Sequence, residues 1–135
     1  MLTPAAVTVR PGFWGECVTT RQGRDAIQQA TLTGSFEAHS ATQAIRWVRV
    51  ALRTVTPALD QVEGQRAFAW LSHGQWEAVH RVSHGEPFAF EVSTNGLHIL
   101  WTIRRVLFLP LAHRRAGQLP ACAERFACPR PPGAR

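Results

Sequence analysis

The chain contains no lysine and no tyrosine, a single asparagine (Asn95) and a single methionine (Met1). Without lysine there is no P-loop lysine, no Schiff base and no anchor for pyridoxal phosphate. Lysine, tyrosine and asparagine use A/T-rich codons, so their scarcity points to a very GC-rich genome. All 15 basic residues are arginine, and codon bias accounts for part of that excess. Cysteine is also sparse. Cys17, Cys122 and Cys128 cannot all pair within the chain. The first ten residues show no basic segment followed by a long apolar one, so no export signal is expected. An odd cysteine count without such a signal fits a reducing cytoplasm. No apolar run reaches the roughly 20 residues that a spanning helix needs. The most apolar stretch, 97–112, is split by Arg104 and Arg105 and interrupted by Pro110.

Against these absences stand 135 residues, 45% of them hydrophobic and 18% charged, with five Trp and seven Phe. That is enough apolar material for one domain with a core, held without disulfides or a structural metal. The net charge of +6 is unevenly placed. Residues 1–103 carry eight arginines and eight acids and sum to zero, whereas residues 104–135 carry seven arginines and only Glu124. Four prolines among the last 16 residues, with no apolar periodicity, predict a flexible basic tail over 113–135, behind a single domain over 1–112. Such a tail suits contact with a polyanion. It equally suits a solvated terminus of arginine-biased composition.

Periodicity predicts the elements. Residues 8–15, broken by proline and glycine, read as an edge strand or an irregular lead-in. Residues 21–33 read as a short helix ending near Gly34. The strongest signal begins at Ser40, an N-cap with Gln43 in capping-box position. Ile45, Val48, Leu52, Val55 and Leu59 follow at helical steps, until Pro57 kinks or ends the helix. Arg46, Arg49 and Arg53 form a stripe on the same helix. It reads as a phosphate-binding ridge or, more simply, as the wet face of a mostly buried helix. Asp60 and Glu63 make a second capping box, opening a helix that Gly74 would stop. Alternation then predicts three antiparallel strands over about 76–82, 87–93 and 97–108, with Asn95-Gly96 as the turn of the last hairpin. The tripeptide Ser-His-Gly occurs twice, at 72–74 and 83–85. Two copies are too few for a repeat architecture.

Chemistry is thin. His73, His80 and His84 are the best cluster, and if 76–84 were helical His80 and His84 at i, i+4 could bind one metal with Glu77 beside them. In a strand His80 and His84 stand about 13 Å apart, too far to share an ion. Cys122 and Cys128 match no compact zinc knuckle, and Cys17 matches no nucleophile signature. No catalytic residue, metal ligand or cofactor is therefore assigned.

These readings converge on an α+β domain with helices packed on one face of a small antiparallel meander, followed by a flexible Arg/Pro-rich tail. The expected function is a non-enzymatic cytoplasmic binding or regulatory module. Its partner is a polyanion, foremost nucleic acid, held by Arg104, Arg105, Arg114, Arg115, Arg125 and Arg130, with Arg46, Arg49 and Arg53 as a second group. Next stands a protein-interaction module or homodimer that uses the sheet face or an edge strand. A small metal-dependent hydrolase built on His73, His80 and Glu77 ranks third. No membrane partner is expected.

Overall fold

A computed structural model describes residues 9–23 and 29–109. Two hairpins frame a continuous helical segment. Strands β1 (Arg10–Arg21) and β2 (Gln29–Ala38) come first, then helix α1 (Ala41–Val55). A 3-10 turn (Thr56–Ala58) leads into α2 (Gln61–Ala69), a π turn (Trp70–Gly74) and α3 (Gln75–Ser83). Strands β3 (Phe88–Thr94) and β4 (Leu97–Phe108) close the order. The sheet order is β2-β1-β4-β3. Both hairpins are antiparallel. So is the central β1–β4 pair: Gln22 N–H donates to Gly96 O at 2.8 Å at one end, and Gly12 meets the Phe108 ring at the other. Residues Pro11–Phe108 form one compact unit. The expected domain end at 112 and the tail 113–135 lie outside the described residues.

The α+β class holds, and Ser40 and Asp60 cap their helices as the sequence implies, although the side chains of Gln43 and Glu63 accept from His39 and Ser93 N–H and do not close the boxes. Ser40 Oγ accepts from Gln43 N–H at 3.1 Å, and Asp60 Oδ1 from Glu63 N–H at 2.8 Å. Between them Ala41, Ala44, Ile45, Val48 and Leu52 turn into the core. Burying each of the three larger side chains contributes about 1.5–3 kcal/mol. They meet Trp101, Ile103 and Val92 from the sheet, all at most 1% exposed, and Val82 from α3. Trp47 stacks on Phe36 at 5.7 Å and lies flat over Gly15, where a Cβ would come within 2.8 Å of its ring. The hairpin β3–β4 turns at Asn95 (φ 47°) and Gly96 (φ 76°), the left-handed pair that a type I′ turn requires.

Four expectations are overturned. Residues 10–15, read as an edge or a lead-in, are no edge: they begin β1, an inner strand of the sheet. Residues 29–33, read as helical, belong to β2, where Leu32, Gly34, Phe36 and Ala38 alternate with Thr33, Ser35 and Glu37. Gly74 does not stop a helix, because its φ of −63° lets the chain run on through the π turn. Residues 76–82 are α3, not the first strand of a meander. Gln75, Ala78 and Val82 are its buried positions and keep helical spacing. Trp76, which suggested alternation, is 65% exposed.

Candidate functional site

Helix α1 runs between the last residue of β2 and the 3-10 turn, with its apolar face fixed on the sheet. That docking turns the opposite stripe outward. Arg46 and Arg53 are exposed and Arg49 is half-buried. The three span about 10 Å along the axis at 1.5 Å per residue. Among the described residues, no carboxylate lies within 4.0 Å of any of them. Local sequence explains this: residues 38–59 contain no Asp or Glu. The Arg49 Nε is enclosed and meets no acceptor among the described residues. Val50, 55% exposed, sits within the same stripe. The helix is therefore less buried than its apolar composition implied.

The remaining predicted arginines are not brought together. Arg104 and Arg105 are adjacent on β4, so their side chains leave opposite faces of the sheet. Arg105 lies on the helix side, with Nη1 near Gly85. Arg104 lies on the open face with Trp14 and Glu16. Arg114, Arg115, Arg125 and Arg130 fall outside the described residues.

The open face carries Trp14, Leu100, Thr102, Arg104 and Val106, and among the described residues no helix covers it. A shallow groove of about 370 Å³ runs across it between Trp14, Ala89, Thr102 and Arg104. The β3 edge of the sheet is covered by side chains of α2. On β3, Glu63 Oε2 accepts from Ser93 N–H at 3.1 Å, and Arg66 donates to the Glu91 carbonyl. Side chains of α2 thus occupy backbone groups that would otherwise invite another strand. A second depression, about 280 Å³, lies between α3 and β3 over Trp70, Phe88 and Phe90. Its charged residues are engaged with one another, since Arg81 contacts Glu77 at 2.8 Å and Glu86 at 4.0 Å.

The histidines move with the change from strand to helix. His80 and His84 lie one turn apart, their ring centres 4.4 Å from each other rather than 13 Å. No group of three or more His, Cys, Asp or Glu among the described residues is placed to hold a metal ion. Glu77, the carboxylate of that constellation, is ion-paired with Arg81. The hydrolase constellation does not assemble. Cys17 is half-buried, with Thr33 Oγ1 donating to its carbonyl at 3.1 Å and to its sulfur at 3.3 Å. Among the described residues, no helix is long and apolar enough to cross a membrane.

No family model, no curated protein and no solved structure matches this chain. Function is therefore argued from the site alone.

Sequence reading expected a sheet face left open by the helices but did not identify its residues, and it missed the protected β3 edge. The alternation in β2 was a usable signal for the extra strand. Nothing in the sequence marks Glu63 and Arg66 as edge-capping side chains, because their partners lie 25 and more residues away.

Proposed function

We propose that the chain is a non-enzymatic cytoplasmic binding module whose partner is a polyanion, foremost nucleic acid. In this reading Arg46, Arg49 and Arg53 on α1 supply a fixed cationic ridge, and the C-terminal arginines add further positive charge to the chain. The observation that carries the reading is the acid-free α1, whose three outward arginines have no carboxylate partner among the described residues. Guanidinium groups suit phosphate oxygens because their planar donors form paired bonds. Helix arginines of this kind fix position on a backbone and carry no base preference of their own.

The test is a titration of the full chain and of a 1–112 truncation against mixed-sequence DNA and RNA at two salt concentrations. Both should bind, each more weakly in high salt, with the truncation the weaker. Absence of binding by either removes the polyanion reading. The second reading then takes its place: a protein partner or second copy seated on the open face of Trp14, Leu100 and Val106, which no helix covers among the described residues.

A further inference from the structure

We propose that His80 and His84 form a two-imidazole clamp for a late first-row divalent cation such as Ni²⁺ or Zn²⁺, at the C-terminal turn of α3. The site is independent of the arginine ridge. Two imidazoles on neighbouring positions of one ion, each with a metal–nitrogen bond of about 2.0–2.1 Å, place their ring centres about 4.5–5 Å apart. The rings here are 4.4 Å apart and tilted by 47°, close to that separation.

The second observation concerns the tautomer. His84 Nδ1 lies 2.7 Å from the His80 carbonyl oxygen. The contact is a hydrogen bond when Nδ1 carries the proton, and in the neutral ring that tautomer leaves the lone pair on Nε2; Ser83 Oγ lies 3.3 Å from the same Nδ1 and can accept from it. Donation of the other ring N–H to a backbone carbonyl is the arrangement by which metal-ligating histidines are oriented. The same carbonyl also accepts from Ser83 Oγ at 2.6 Å, which ties the last turn together around it. Both histidines are exposed, so an ion reaches them without opening the core. They also lie at the negative end of the helix dipole, which favours a cation. With only two side-chain ligands among the described residues, water completes the coordination sphere. Imidazole pairs favour Ni²⁺, Cu²⁺ and Zn²⁺ over Mg²⁺ or Ca²⁺.

The experiment is thermal unfolding of the full chain with and without excess Ni²⁺ or Zn²⁺, in the wild type, His80→Gln, His84→Asn and His73→Gln. Each protein is compared with its own metal-free baseline, so any change in basal stability cancels. A ligand that binds only the folded state raises Tm by mass action, here by about 4 °C or more. The rise should persist in His73→Gln and vanish in His80→Gln and His84→Asn. No rise in the wild type, or a rise that survives His80→Gln, overturns the clamp.

Discussion

The arginines of α1 and those of α2 and α3 are chemically identical and differently employed. Arg66 and Arg81 are already engaged. Arg66 reaches the Glu91 carbonyl, approaches Glu63 at 3.8 Å and lies over the Phe90 ring at 5.3 Å. Arg81 is held between Glu77 and Glu86. Arg46, Arg49 and Arg53 meet no carboxylate among the described residues. Residues 1–103 sum to zero charge, yet that zero hides a segregation, with the described acids on or beside α2, α3 and the strands and none on α1. A net charge computed over a whole domain says little about where an anion would be held.

Supplying α1 with the acid it lacks should erase the contrast. Thr42 is exposed in the first turn of α1 and lies four residues before Arg46, and that turn contains no acid. Thr42→Glu should stabilise the fold by about 0.5–1 kcal/mol, by complementing the helix dipole and pairing with Arg46. The same change should weaken polyanion binding several-fold. Urea unfolding and a parallel binding titration check both signs, and a loss of stability together with a gain in affinity would break the comparison.

A smaller effect is expected on the other side. Glu77→Gln removes the 2.8 Å partner of Arg81 between two side chains that are more than half exposed. Such pairs contribute about 0.3–0.5 kcal/mol. The stability change in the same unfolding assay should not exceed that, and polyanion affinity should stay within twofold, since Arg81 keeps Glu86 nearby. A large gain in affinity would show that α3 belongs to the binding surface.

What was legible in the sequence divides along a physical line. Elements announced by local rules were readable: α1 through Ser40 and its helical apolar spacing, and β3–β4 through Asn95-Gly96. The two Ser-His-Gly tripeptides show where local rules stop. Gly85 takes φ +89° and ends α3, with Pro87 two residues on to prevent its continuation. Gly74 carries the same neighbours before it and runs on as helix. Trp70 packs against Gly74 so closely that a Cβ there would sit 2.8 Å from its indole. Gln75, Ala78 and Val82 then bury the next turns. A tripeptide cannot encode that difference, because the apolar residues after Gly74 make it. The ridge itself was visible as a spacing of three arginines. That those arginines lack partners was not, since pairing depends on the acids that folding brings near. Of the seven arginines that carry the excess charge, only Arg104 and Arg105 lie within the described residues.

The most direct measurement of the central claim is the salt dependence of DNA binding in the wild type and in an Arg46→Gln/Arg53→Gln variant. On duplex DNA each phosphate contact contributes about 0.9 to the slope of log K against log salt. If α1 provides the ridge, the variant's slope should be shallower by about 2, with its fold intact because both side chains are exposed. Equal slopes for the two proteins would contradict the claim and leave α1 with an ordinary solvated face.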